Sequence, residues 1–158
     1  VIPKVNANTE FACMRAAYES LPAATQQKLE GLQVHHTITR SREILGFTFS
    51  DEEKNKLKGA IHPMVRTNPR TGRKSLFLSS HAGRIIGWPV PEALMMLKDL
   101  SEHATQREFV YSHQWRVGDL VMWDNGVTMH RGRIYDDLKY RRDMRRTTTT
   151  YGAPALAA

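Results

Sequence analysis

The sequence predicts a mainly β fold, either a sandwich or a jelly roll, with helical insertions. Short apolar or alternating runs are separated by turn residues, as where Asp124-Asn125-Gly126 follows the apolar run Leu120–Trp123. Helical patterns interrupt these strands in the first half of the chain and again before the last third. A length of 158 residues, with no internal repeat and no linker, indicates a single domain.

The N-terminal region is predicted to contain two helices. Asn8 or Thr9 can cap a helix over Glu10–Ser20, since their side-chain oxygens accept from free backbone N–H groups. Pro22 ends that helix and suits the first turn of another, whose helical spacing of leucines continues through Leu32.

The middle of the chain is predicted to alternate between irregular segments and short strands. Thr37–Phe49 has no clear period and is expected to be irregular or weakly extended. Ser50–Glu53 reads as a capping box that opens a short polar helix. His62–Thr67 and Ser75–Ser80 are predicted strands, and Arg84–Gly87 is a short extended piece.

The C-terminal part carries the clearest patterns. An amphipathic helix is predicted from Pro91 to about Ala104, with leucines on one face. A half-buried strand follows, because apolar or aromatic residues alternate with polar ones at Phe109, Tyr111, His113 and Trp115. Leu120–Trp123 is predicted to be a buried strand, and the next strand leads His130 out of the turn.

The composition favours a small anionic ligand over a nucleic acid or a membrane. The net charge is +7, from 23 Lys and Arg against 16 Asp and Glu. The C-terminal arginines alternate with acidic residues and lack the interleaved aromatics of single-strand binders. No apolar run is long enough to cross a bilayer, and the lone Cys13 favours a reducing, cytoplasmic setting.

Several motifs resemble one enzyme family. Trp123-Asp124-Asn125 is followed by His130 and then by an arginine cluster, Arg142-Asp-Met-Arg-Arg146-Thr. Further matching stretches, in the same order along the chain, are Asn8–Phe11, Met14–Tyr18, His62–Thr67, Gly72–Phe77 and Glu102–Gln106. Together they resemble the family of taurine dioxygenase and the phenoxyacetate-herbicide dioxygenases, nearest to its herbicide-degrading branch.

This resemblance implies a double-stranded β-helix, the jelly roll whose mouth holds iron. It also implies Fe(II) as cofactor, with 2-oxoglutarate and O2 as co-substrates. The expected reaction hydroxylates a small anionic substrate such as 2,4-dichlorophenoxyacetate and releases succinate and CO2. Hydroxylation next to an ether oxygen gives a hemiacetal, which collapses to a phenol and glyoxylate.

The resemblance also assigns candidate site residues. His130 is the expected metal ligand, and Thr9 and Arg142 are expected to hold the distal carboxylate of 2-oxoglutarate. His81 matches a histidine implicated in substrate binding, and Arg146 shares the strand face of Arg142 and faces the substrate. On physical grounds alone Thr9 is expected to be a helix cap, and His81 could equally be an ordinary surface histidine at a strand end.

One departure from the family pattern concerns the metal. The first two ligands are a His-x-Asp or His-x-Glu pair, and none of the seven histidines has an acid two residues later. We therefore expect residues 1–151 to be the C-terminal portion of a jelly roll, incomplete at its N-terminus and inactive alone. A disordered tail is expected over 152–158, and unpaired strand edges favour a homo-oligomer. The alternative is a non-enzymatic basic jelly-roll module that binds an anion or nucleic acid.

Overall fold

The computed structural model describes residues 1–149, which form small antiparallel sheets and short helices. The strands are β1 (Thr9–Cys13), β2 (Gln33–His36), β3 (Ala60–Pro63), β4 (Val65–Thr67), β5 (Lys74–Leu76), β6 (Ala82–Ile85), β7 (Val110–His113) and β8 (Thr128–Gly132). The helices are α1 (Met14–Glu19), α2 (Ala23–Leu29), α3 (Ile38–Glu43), α4 (Asp51–Lys56) and α5 (Val90–Ala104), with a 3₁₀ turn at Arg107–Phe109.

The strands pair in three sheets with the orders β7-β1-β8, β3-β2-β6 and β4-β5. Every pairing is antiparallel. In the first sheet β1 is central, and Phe11 lies opposite Tyr111 on one side and His130 on the other. The pairing of β1 with β8 thus brings the N-terminal strand beside the last described strand.

A single apolar core underlies the sheets. Its largest fully buried side chains come from α1, α2 and the second and third sheets with their connections: Met14, Leu29, Val34, Met64, Leu76 and Ile85. The helix α5 adds Ala93, Leu97, Leu100 and Ala104 from one face. The amphipathic pattern of the sequence is thus confirmed, because these positions follow the helical period.

Three local predictions are confirmed. α5 spans almost the predicted residues and has a proline in its first turn. α4 begins with a complete capping box, in which Ser50 Oγ accepts from Glu53 N–H and the Glu53 carboxylate accepts from Ser50 N–H. The turn at Asp124 is closed by the Gly126 N–H, which donates to Asp124 Oδ1 over 2.7 Å.

The predicted helix over Glu10–Ser20 is wrong in its first half. Residues Thr9–Cys13 form the central strand β1, and the helix begins only at Met14. Pairing with strands on both sides satisfies the backbone of β1, which outweighs local helix propensity. The side chain of Thr9 is therefore not a helix cap.

The second and third helices also differ from prediction. α2 ends at Leu29 rather than continuing past Leu32, because Gly31 adopts a φ of 81° and the chain then enters β2. The segment expected to be irregular contains the helix α3, whose start is capped by Thr37 Oγ1, which accepts from Thr39 N–H.

The middle strands are shorter than predicted. The segment His62–Thr67 belongs to two strands, since β3 pairs with β2 and β4 pairs with β5. The fully buried Met64 lies between them and turns the chain from one sheet to the next. In β7, Tyr111 is exposed rather than buried, and Trp115 lies beyond the end of the strand.

The predicted buried strand Leu120–Trp123 is not present. Leu120 is 91% exposed and Met122 89% exposed, and the segment has no regular structure. A strand requires a hydrogen-bonded neighbour, and none of residues 1–149 pairs with this segment. The strand expected through Arg142 and Arg146 is likewise irregular. The tail expected to be disordered, 152–158, lies outside the described residues.

Within the described part of the chain, no helix is long and apolar enough to span a membrane.

Candidate active site

One face of the first sheet brings together residues from both ends of the chain. Phe11 and His130 are opposite each other on β1 and β8, so their side chains leave the sheet on the same side. Thr9 lies two residues before Phe11 and shares that side. The opposite side carries Glu10 and Arg131, which form an ion pair of 2.7 Å.

His130 lies in an aromatic setting on this face. The centroid of its ring is 5.0 Å from that of Trp123 and 6.3 Å from that of Phe11. Partial desolvation, and next the positive charge of Arg146, lower the pKa of His130 below its ordinary value. Both effects favour the neutral imidazole, which is the form that binds a metal.

Thr9 and Arg142 form the second part of the site. The Thr9 side chain is only 8% exposed, and its Oγ1 accepts from Trp115 Nε1 over 2.9 Å and from Arg142 Nη2 over 3.2 Å. The buried Nε of Arg142 has no hydrogen-bond partner among the described residues. A half-buried guanidinium with a buried, unpartnered Nε beside a hydroxyl fits a carboxylate, so these two residues fit one end of 2-oxoglutarate.

The neighbouring arginines are arranged differently. Arg141 and Arg145 are exposed and both approach Asp143, at 3.3 and 3.9 Å. Arg142 is half-buried while Arg141 and Arg145 are exposed, but the strand face that Arg142 and Arg146 were predicted to share is not present. Arg146 is exposed, and its charge acts on His130, which places it near the metal-ligand candidate.

His81 lies beside a different sheet from the one that carries Thr9 and His130. It precedes β6, and its Nδ1 is 2.8 Å from Ser41 Oγ on α3. Its backbone N–H donates to Ser79 Oγ over 3.2 Å. Its contacts therefore place it beside the β3-β2-β6 sheet.

The residues present supply only part of a metal site. No group of three or more His, Cys, Asp and Glu side chains within residues 1–149 is arranged to hold a metal ion. His130 offers one imidazole on an ordered strand. This agrees with the absence of a His-x-Asp pair from the sequence.

Sequence reasoning missed the roles of two tryptophans. Trp115 holds the Thr9 hydroxyl, and Trp123 packs on His130 while its indole N–H donates to Asn125 Oδ1 over 2.8 Å. The Trp123-Asp124-Asn125 motif gave a signal for the second contact. Nothing local predicts the first, since Trp115 and Thr9 are 106 residues apart.

Comparison with known proteins identifies related chains. The family model "Taurine catabolism dioxygenase TauD, TfdA family" matches residues 2–148. An alpha-ketoglutarate-dependent 2,4-dichlorophenoxyacetate dioxygenase of Cupriavidus pinatubonensis is 51% identical over 94% of this chain and 52% of its own length. A (S)-phenoxypropionate/alpha-ketoglutarate-dioxygenase of Sphingobium herbicidovorans is 34% identical over 86% of this chain and 50% of its own length.

A solved structure is similar as well. The crystal structure of AAD-2 in complex with Mn(II) and N-oxalylglycine matches with a TM-score of 0.88 and 52% identity, over 92% of this chain and 57% of that one. This chain thus spans about half the length of the curated relatives it matches. The family model matches nearly the whole of it, and the chain therefore belongs to the TauD, TfdA family of dioxygenases.

Proposed function

We propose that this chain is the C-terminal portion, residues 1–151, of an Fe(II)- and 2-oxoglutarate-dependent dioxygenase. The observation that carries the proposal is the contact of Arg142 with the buried hydroxyl of Thr9, on the same sheet face as His130. This is the arrangement required to hold a dicarboxylate by one end while its other end approaches a metal. The names of the relatives support the same activity.

Thr9 and Arg142 bind the distal carboxylate of 2-oxoglutarate. The guanidinium already donates to Thr9 through Nη2, and its unpartnered Nε remains available for a carboxylate oxygen. Trp115 donates to the same Thr9 oxygen, which fixes the orientation of the hydroxyl. The hydroxyl hydrogen is then free to be donated to the co-substrate.

His130 provides one of the three protein ligands to iron. The other two belong to the part of the family domain that this chain does not match. When bound, iron and O2 supply the oxidant that converts 2-oxoglutarate to succinate and CO2 and hydroxylates the substrate. Trp123 holds the His130 ring and shields one side of it from water.

The substrate is a small anionic aryloxyalkanoate such as 2,4-dichlorophenoxyacetate. The exposed charge of Arg146 near His130 suits a substrate carboxylate, and His81 is the second candidate for that role. Hydroxylation of the carbon beside the ether oxygen gives a hemiacetal, which releases a phenol and, from an oxyacetate, glyoxylate.

The complete fold is a jelly roll that this chain closes only in part. β8 and β7 are edge strands of their sheet, and large apolar side chains nearby are almost fully exposed. They are Val117, Leu120, Met122, Ile134 and Leu138. Strands from the rest of the domain cover these residues in the full-length protein.

Coupled turnover tests the proposal. The full-length protein is incubated with Fe(II), 2-oxoglutarate, oxygen and 2,4-dichlorophenoxyacetate, and succinate and phenol are measured together. We expect equal amounts of both, no product without iron, and none from His130→Ala. Complete absence of succinate from the full-length protein contradicts the proposal and favours a non-enzymatic, anion-binding module.

A further inference from the structure

A second polar cluster lies beside the β3-β2-β6 sheet. The rings of His36, His62 and Phe77 form a triangle with centroid separations of 5.6, 5.3 and 5.1 Å. His36 is only 8% exposed, yet its buried Nε2 has no hydrogen-bond partner among the described residues. An unpaired buried ring nitrogen costs free energy unless another group binds it.

The hydrogen bonds around His36 are compatible with a proton on the Nε2 of its ring. The His36 Nδ1 is 2.9 Å from Ser79 Oγ, and that oxygen already accepts from the backbone N–H of His81. The Ser79 hydroxyl can donate its single hydrogen to Nδ1. The neutral ring then carries its proton on Nε2, and the unpartnered atom is a donor.

Histidines and one arginine act electrostatically on His36. Among the described residues, the groups whose charges act on it are His62, His81, Arg66 and His35. Burial, and next these neighbours, lower the pKa of His36 to about 4, so its ring stays neutral at pH 7. The guanidinium of Arg66 lies 3.3 Å from the centroid of Phe77 and adds a fixed positive charge beside the rings.

We propose that His36 is a substrate-binding residue whose Nε2–H donates to a carboxylate oxygen of an aryl-bearing acid, with His62 and Phe77 contacting its aromatic part. This rests on the proposed function, because the acid is taken to be the dioxygenase substrate. A carboxylate satisfies the buried donor and is attracted by Arg66, whereas a cationic ligand is repelled. The neighbouring rings of His62 and Phe77 favour a flat apolar group next to the anion.

Ser79 connects this site to the residue that family resemblance assigns to the substrate. Its Oγ contacts both the His36 ring and the backbone of His81. The side chain of His81 is held in turn by Ser41. His36 and His81 thus belong to one hydrogen-bonded unit, which favours His81 over Arg146 as the second contact of the substrate carboxylate.

Binding to the full-length, metal-free protein tests this inference, with 2-oxoglutarate present to fill the Arg142 site. Phenoxyacetate is the probe, and phenoxyacetamide, which is uncharged, is the comparison ligand. His36→Phe keeps a flat ring in contact with His62 and Phe77 but removes both nitrogens. We expect it to raise the Kd for phenoxyacetate about 10- to 100-fold, as for a lost hydrogen bond to a charged group.

The matched control is His35→Gln. His35 is the neighbouring histidine on β2, and its Nε2 is 2.6 Å from the Lys58 carbonyl oxygen, so we expect its loss to leave Kd within about twofold. Proton–nitrogen correlation spectra of the imidazoles give a second readout that needs no variant. We expect the Nε2–H tautomer of His36, with a resonance that shifts on saturation with phenoxyacetate and much less with phenoxyacetamide.

An unchanged Kd in a folded His36→Phe protein overturns the inference. So does an Nδ1–H tautomer, or a His36 resonance that no aryl acid moves, since a bound water then satisfies the donor. If the wild-type protein forms succinate while His36 does not respond, this inference fails and the proposed function stands. If His36 binds phenoxyacetate and no succinate forms, the site stands and the dioxygenase proposal fails.

Discussion

Arg142 Nη2 lies 3.2 Å from Thr9 Oγ1, although 133 residues separate the two in the sequence. The contact is possible because β1 pairs with β8 and the chain after β8 returns across the start of β1. A bond between Arg133 N–H and the Asn8 carbonyl oxygen, 2.8 Å long, continues that return. Thr9 lies on the sheet that carries His130, and the segment after β8 brings Arg142 into contact with Thr9.

The first prediction compares Arg142 with Arg141 as the residue that binds 2-oxoglutarate. In the full-length protein, Arg142→Gln is expected to raise the 2-oxoglutarate concentration for half-maximal succinate formation about ten- to a thousand-fold, since losing one partner of a buried charge pair costs roughly 2–5 kcal/mol. Arg141→Gln is the matched control and is expected to be nearly silent, because Arg141 is exposed and pairs only with Asp143 in the described contacts. The opposite pattern would show that Arg141, and not Arg142, binds 2-oxoglutarate.

The second prediction concerns acid stability. The unfolded chain protonates His36 near pKa 6.5 and the folded chain only near about 4, so between these values the unfolded state holds more protons. The contribution of His36 to the free energy of unfolding is therefore full above pH 6.5 and is lost as the pH drops toward 4. We expect this histidine to contribute a loss of about 2 kcal/mol between pH 7 and pH 5.

Urea unfolding of the full-length protein at the two pH values measures that loss. His36→Phe is the control, because it removes the titrating group and keeps the ring. The variant is expected to lose about 2 kcal/mol less than the wild type over the same interval. Equal losses in the two proteins would assign the pH dependence to other groups.

The third prediction concerns the end of β2. Gly59 has a φ of 75°, and a Cβ there would lie 2.1 Å from the carbonyl oxygen of His36. Gly46 has a φ of 85° with nothing within 4 Å of its Cβ position. In both alanine variants the left-handed backbone is expected to lower the free energy of unfolding by about 1–2 kcal/mol. In Gly59→Ala the clash with His36 is expected to lower it by about a further 1–3 kcal/mol.

Denaturant unfolding of the full-length protein compares the two glycine variants directly. Gly59→Ala is expected to be clearly the less stable, and equal stabilities would mean that Gly59 does not approach His36 as described.

The elements that the sequence predicted well are those that depend on local chemistry. The capping box at Ser50, the turn at Asp124 and the amphipathic helix after Pro91 are each determined by residues a few positions apart. β8, which carries His130, was predicted because a turn and an apolar run precede it.

The errors occur where distant pairing decides the structure. Thr9–Cys13 has residues that suit a helix start, but strands more than 90 residues away pair with it on both sides. Leu120–Trp123 has the composition of a buried strand, and no described strand lies beside it. For the site, the motifs predicted Thr9, His130 and Arg142, whereas the contact with Trp115 required the fold.

The fourth prediction follows from the exposed apolar residues. Leu120 and Leu138 are 91% and 100% exposed, so the isolated 158-residue chain is expected to self-associate through this surface. Analytical ultracentrifugation of the chain measures this, and Leu120→Lys with Leu138→Glu is expected to shift it toward monomer. Glu52→Lys with Lys56→Glu is the control, since it reverses an exposed ion pair elsewhere. A wild-type chain that is monomeric at high concentration contradicts the prediction.

The most direct test of the account is an anaerobic titration of Fe(II) and 2-oxoglutarate, followed by the visible charge-transfer absorption of the chelated co-substrate. The full-length protein is expected to develop this absorption and the isolated chain is not, because His130 alone cannot hold labile iron. His130→Ala is expected to abolish the absorption at every 2-oxoglutarate concentration. Arg142→Gln is expected to retain it, but only at much higher concentrations. Undiminished absorption in full-length His130→Ala would contradict the central claim that His130 is a metal ligand.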